Sequence, residues 1–101
     1  MLAQFSIVPI GVGDSISEHV AEVVRMVDES GLPYRMNPMG TVVEGEWDEV
    51  MALIGRCHRR MLDRSSRVLT SISIDDRPGK PGRITGKIQA VEKRLGREVK
   101  K

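Results

Sequence analysis

Few side chains in this sequence are of the types that perform covalent chemistry. There is one cysteine, Cys57, and there are two histidines, His19 and His58. Nucleophilic catalysis needs a nucleophile, a base and a group that orients the base. One cysteine and two separated histidines do not assemble that set. Cys57 and His58 are neighbours, but adjacent helical positions diverge by about 100° and do not form a site together. Cys57 falls on an apolar helical stripe, where a thiol behaves as a small hydrophobe. A single cysteine also excludes an internal disulfide and a cysteine-based zinc site. Gly11-Val12-Gly13 follows a strand and precedes a helix, as phosphate loops do. It lacks the third glycine of the dinucleotide fingerprint and the Lys-Ser/Thr of a P-loop. Ser15 and Ser17, near a helix start, can hold an adventitious anion. No catalytic residue and no metal ligand set is expected, and nothing asks for an enzyme.

The elements that position these residues follow from hydrophobic period. Residues 2–9 alternate, with Ala3, Phe5 and Ile7 on one side and Gln4 and Ser6 on the other, so they predict a half-buried strand. Pro9 helps to end it. Ser15-Ile16-Ser17-Glu18 predicts a capping box at the start of a helix. Ile16, Val20, Val23 and Val27 lie on one face of that helix, and Gly31 is placed to stop it. Residues 33–37 predict a short strand, 37–40 a turn and 41–44 the returning strand. Glu46, Asp48 and Glu49 bring negative charge to the start of a second helix. Its stripe is Val50, Ile54, Cys57 and Met61. Residues 67–75 alternate again, a Gly/Pro loop spans 77–82, and Ile84, Ile88, Val91 and Leu95 mark a third helix with Gly96 as its stop. The order β-α-β-β-α-β-α predicts one α+β, ferredoxin-like βαββαβ domain over residues 1–101 with an added C-terminal helix.

The chain of 101 residues is 40% hydrophobic and 30% charged, a globular rather than a disordered composition. No apolar run approaches the roughly 20 residues of a membrane span, and the first residues lack a signal-peptide pattern. A cytoplasmic protein with no membrane partner is expected. The net charge of +2 hides an asymmetry: residues 1–50 carry two basic and nine acidic side chains, residues 51–101 fourteen basic and five acidic. A basic half is an electrostatic footprint for nucleic acid, or one of two oppositely charged surfaces that meet within the fold or between subunits. An RNA-binding sheet of this fold stacks bases on exposed aromatics of its central strands. Only Phe5, Tyr34 and Trp47 are aromatic, and Phe5 has the apolar parity. No nucleic-acid partner is expected.

In this fold two helices cover one sheet face. With Phe5, Ile7, Val68, Ile72 and Ile74 toward the helices, the other face carries Gln4, Ser6, Val8, Leu69, Ser71 and Ser73. That mixture suits packing against a second subunit, most simply with twofold symmetry, or a pocket. It also suits plain exposure of small hydroxyls to solvent.

Three blocks now matter: Val8-Pro9-Ile10-Gly11, then Tyr34 with Asn37-Pro38-Met39-Gly40-Thr41-Val42-Val43-Glu44-Gly45-Glu46, then Thr70 through Asp75-Asp76-Arg77. Together they resemble the small thiamine-binding protein family, across nearly the whole chain. The resemblance implies a ferredoxin-like fold, sheets paired into homodimers and often homotetramers, and, in some members, non-catalytic binding of thiamine or its pyrimidine. It implies no cofactor beyond thiamine as a possible bound ligand.

An aminopyrimidine needs an acceptor for its amino group, partners for its ring nitrogens and an apolar wall. Glu44 can accept from the amino group, and Ser6, Ser71 and Ser73 can donate or accept. Met39 and Val42 can form soft walls, and Asp75 or Asp76 can sit near the cationic thiazolium. Thr41 belongs to the same candidate set. Each has a plainer alternative: Glu44 as an exposed strand residue or interface salt bridge, the serines as interface filler, Asp75 and Asp76 as loop caps or partners of Arg77. If Val43 faces the helices, Glu44 shares the open face with the serines.

Overall fold

The computed structural model describes residues 1–101. The elements are β1 (Leu2–Pro9), α1 (Ser17–Glu29), β2 (Tyr34–Asn37), β3 (Gly40–Glu44), α2 (Trp47–Leu62), β4 (Val68–Asp75) and α3 (Arg83–Leu95). The four strands form one antiparallel sheet in the order β2-β3-β1-β4. This is the ferredoxin-like plan with its extra helix.

Register fixes the two faces, because residues opposite one another across a ladder share a side. Ala3 faces Val43 and Ile74, and Phe5 faces Thr41 and Ile72. These side chains join α1 and α2 around a core whose members include Val27, Val43, Leu53, Ile54, Cys57 and Met61. Every residue of the predicted α2 stripe is buried. Cys57 is one of them, and burial raises its thiol to about 11, far from the range of a reactive thiolate. The other face carries Leu2, Gln4, Ser6 and Val8 from β1, Val42 and Glu44 from β3, and Leu69, Ser71, Ser73 and Asp75 from β4.

Two local expectations need correction, and a third holds only in part. The capping box at Ser15 does not form: α1 begins at Ser17, and Ile16 precedes it without a side-chain cap. The reciprocal contact appears instead at α2, where the Glu46 N–H donates to the Glu49 carboxylate at 3.3 Å. Ile72 and Ile74 are on the helix side yet remain 38% and 40% exposed. β4 is an edge strand, and α2 reaches it mainly near Thr70, whose hydroxyl meets His58 Nδ1 at 2.7 Å. Asp75 pairs with Lys87 of α3 rather than with Arg77.

α3 lies on the face opposite α1 and α2. Its N-cap, Gly82, has φ of 70° and supplies no capping side chain. Glu44, 39 residues earlier, takes that role: its carboxylate accepts from the N–H groups of Arg83 at 2.9 Å and Ile84 at 3.2 Å. An anionic acceptor there satisfies two orphan donors and suits the helix dipole. The helix stripe is only half used. Ile84 and Ile88 are half-buried, whereas Val91 and Leu95 are 52% and 56% exposed. The tail folds back, with Val99 N–H donating to Glu92 at 2.9 Å.

The basic second half is partly absorbed within the fold. Glu22 of α1 pairs with Arg25 and with Arg60 and Arg64, which lie at and beyond the end of α2. Burial pushes the Glu22 carboxyl up, but the three guanidinium groups outweigh it and hold the group below its ordinary range.

Candidate functional site

A cavity of about 240 Å3 opens between α1, the second half of β1 and the β2–β3 turn. Ile16 and Val20, the part of the α1 stripe that the core leaves over, form one wall. Phe5, Ile7 and Thr41 form the sheet side. Met36 and Met39 stand at the rim, Met39 being 86% exposed.

The polar character of this cavity comes from a strand mismatch. β1 has eight residues and β3 five. β1 pairs with β4 from Leu2↔Asp75 to Pro9↔Val68, but its pairing with β3 stops at Phe5↔Thr41. In an antiparallel strand the N–H and C=O of one residue serve the same neighbour, and successive residues alternate. Ile10 N–H donates to Arg67 C=O at 2.8 Å on the β4 side, while Met1 C=O accepts from Gly45 N–H at 3.0 Å on the β3 side. Even residues of β1 therefore serve β4 and odd residues serve β3. Ile7 is odd, and the chain has already turned away at Asn37–Gly40. Its N–H and C=O are left unpaired along the cavity wall. Gly40 makes the tight turn onto β1 possible, since a Cβ there would stand 2.9 Å from the Phe5 carbonyl oxygen.

The candidate residues separate into three places. Ser6, Met39 and Thr41 line the cavity. Thr41 does so from the helix side at 5% exposure, and Ser6 from a position whose side chain belongs to the opposite face. Glu44 is on the open face, as expected if Val43 turns inward, but its carboxylate holds α3. Asp75 is bound to Lys87, whose hydrogen bond and charge keep the carboxyl below its usual range. Ser73 lies beside this pair, and Ser71 is exposed on the open face without a site around it. The structure does not bring the seven together. Ile16, Val20, Asn37 and the Ile7 backbone are cavity components that side-chain chemistry does not reveal. Strand length is the signal for Ile7: three or four residues of β1 outlast the returning strand.

Residues 3–92 match the family model described as thiamine-binding protein. The chain belongs to the thiamine-binding protein family. Among relatives in this family, UPF0045 protein Mb1933 of Mycobacterium bovis is 42% identical over 96 residues, covering 94% of each chain. The crystal structure of hypothetical protein MJ1052 of Methanocaldococcus jannaschii superposes with a TM-score of 0.83 at 34% identity, covering 89% of this chain and 93% of that one. A Thermotoga maritima structure whose name proposes a role in thiamine biosynthesis or salvage superposes with a TM-score of 0.78, covering 89% and 96%. At 22% identity it bears on the fold of this thiamine-binding family member alone.

Proposed function

We propose that this protein binds thiamine, or a related aminopyrimidine, without catalysis, and that the ring occupies the cavity between α1, β1 and the β2–β3 turn. The unpaired Ile7 N–H and C=O carry the reading. An aminopyrimidine presents an amino donor beside a ring-nitrogen acceptor. The Ile7 carbonyl accepts from the first and the Ile7 N–H donates to the second. Ile16, Val20 and Phe5 enclose the ring. The volume of about 240 Å3 lies below the roughly 300–1,000 Å3 of drug-sized pockets, so it suits one heterocycle with the thiazolium projecting past Met39. Glu44 is not needed as the acceptor; a backbone carbonyl replaces it.

The same proposal includes self-association. Gln4, Ser71 and the 59% exposed Leu69 sit on a sheet face that α3 leaves partly open. A second copy of that face is its expected cover, giving a homodimer, and Val91 and Leu95 of α3 favour a further contact into a homotetramer. Those exposed apolar residues also favour the second reading, an oligomeric interaction module with no small ligand.

Thermal melts with thiamine, free aminopyrimidine and an unrelated cation separate the two readings. A ligand at 100 times its Kd adds about 2.7 kcal/mol to the folded state. That is a Tm shift of roughly 10 °C for a domain this size. Val20→Phe, which fills the cavity, should abolish the shift and leave the oligomer intact. No shift at millimolar ligand overturns the binding reading. Light scattering on Ser71→Arg/Ser73→Arg tests assembly, and an unchanged mass sinks the sheet-face interface.

A further inference from the structure

We propose that a second binding site, for a small organic molecule carrying a phosphate group, lies beneath α3. A recess of about 340 Å3 separates α3 and the C-terminal tail from the sheet. It opens on the face opposite the aminopyrimidine cavity, so it does not rest on what that cavity binds, and it occupies the β2–β3 side of the sheet face whose β4 side is assigned to the proposed dimer. Its floor is apolar, with Leu2 and Val42 from the sheet and Ile84 and Ile88 from the helix. Its charged side chains are Arg35, Arg83, Lys87, Lys100 and Lys101, with no acidic side chain among the lining residues.

The distribution of partners gives this charge its direction. Lys87 is held by Asp75, and Lys101 by Glu92 at 2.7 Å, with Glu98 also acting on Lys101 through its charge. Arg35, Arg83 and Lys100 have no carboxylate within ion-pair distance, although the charge of Arg83 also acts on Asp75. Arg35 is near enough to Lys101 to oppose its protonation. The neighbouring Glu44 is engaged with the first amides of α3. Like charges gathered around one apolar recess repel, and a dianion relieves that repulsion. Guanidinium forks match phosphate oxygens in pairs, which favours phosphate over a simple carboxylate.

Arg83 also lies close to Gly86 on the surface of α3. Glycine weakens a helix interior, yet it stands one turn after Arg83, mid-way along α3. A Cβ at this position would lie 3.0 Å from Arg83 Nη1.

Phenyl phosphate and inorganic phosphate, titrated at low salt into isotopically labelled protein, test the site by amide chemical shifts. Phenyl phosphate is expected to move Val42, Ile84 and Val99 and to bind roughly tenfold more tightly than inorganic phosphate, because the ring meets the apolar floor. Arg35→Gln/Arg83→Gln should weaken binding by roughly tenfold or more, while Arg56→Gln on α2 leaves it unchanged. Equal affinity for the two phosphates, shifts spread over all basic surfaces, or undiminished binding in the double variant would overturn the site. Stronger competition by a single-stranded oligonucleotide than by phenyl phosphate would overturn it as well.

Discussion

α2 and α3 carry the same apolar spacing and meet different fates. Val50, Ile54, Cys57 and Met61 of α2 are all buried against the sheet. Ile84, Ile88, Val91 and Leu95 of α3 repeat that spacing, and α3 contains no buried residue. α2 packs beside α1 on the covered sheet face and reaches both β1 and β4, so its stripe is buried along its whole length. α3 is tethered near its N-terminal end by Glu44 and by the Lys87–Asp75 pair, and its second half leaves Val91 and Leu95 exposed. A helical stripe thus reports that a face wants cover. What covers it is decided by the length and tilt of neighbouring elements.

The largest expected effect breaks the comparison at α2. Leu53→Ala removes a side chain that is 1% exposed and should cost about 2–5 kcal/mol, read by denaturant unfolding. Leu95→Ala on α3 should change stability of the isolated protomer by no more than about 0.5 kcal/mol. If Leu95→Asp lowers the mass seen by light scattering without lowering the stability of the protomer, the exposed half of α3 belongs to an interface. A large loss for Leu95→Ala in a dilute monomer would erase the distinction between the two helices.

The helix-covered side is the legible one. Alternation in Ala3, Phe5 and Ile7 and the α2 stripe state which side is buried, because burial on one face forces period. The cavity is less legible, since its polar edge is the backbone of Ile7 and its existence depends on where β3 stops. Met39 and Thr41 emerge from their block near the turn, but the reason they line a cavity is three-dimensional. Glu44 shows the opposite case. A carboxylate at the end of a strand invites a ligand role, yet α3 folds back onto it from far along the chain. Its two bonds to α3 cannot be read from local spacing.

Gly40→Ala sharpens the cavity side of the comparison. The new Cβ would meet the Phe5 carbonyl oxygen at 2.9 Å, and backbone on both sides has little room to yield. A loss of about 1–3 kcal/mol is expected, as for other overpacked positions. The hairpin should move off β1, so any thiamine-dependent Tm shift should disappear with it. Unchanged stability would mean that the turn relaxes freely and that the cavity is not rigid.

Glu44→Ala acts on α3 alone. Losing a helix-capping acceptor typically costs about 1 kcal/mol. Amide exchange at Arg83 and Ile84 should accelerate, while exchange at Leu53 and Ile54 in α2 should not. Under the proposed function, aminopyrimidine binding in the cavity should persist. Loss of that binding with α3 still docked would restore Glu44 to the ligand site.

The smallest effect is in acid, and it distinguishes two carboxylates. Asp75 and Glu22 are both held below their ordinary ranges, Asp75 first by its hydrogen bond to Lys87 and Glu22 by three arginines that outweigh burial. A group whose carboxyl is depressed in the folded state favours folding above its unfolded range, near 3.8 for Asp and 4.5 for Glu. That contribution is lost as pH falls through the folded value. These two carboxylates therefore make Tm decline on acidification below about pH 4.5 and contribute nothing to a change on alkalinisation from neutral. Glu22 joins α1 to Arg60 and Arg64, so Glu22→Gln should reduce the acid slope of the global transition. Asp75 joins only α3 to the sheet edge, so Asp75→Asn should alter acid-dependent amide exchange in α3 with little change in global Tm. Asp75 is 54% exposed and Glu22 only 11%, so added salt should shrink the Asp75 effect more than the Glu22 effect. If Asp75→Asn instead shifts the global transition as much as Glu22→Gln, α3 is as integral to the fold as α2.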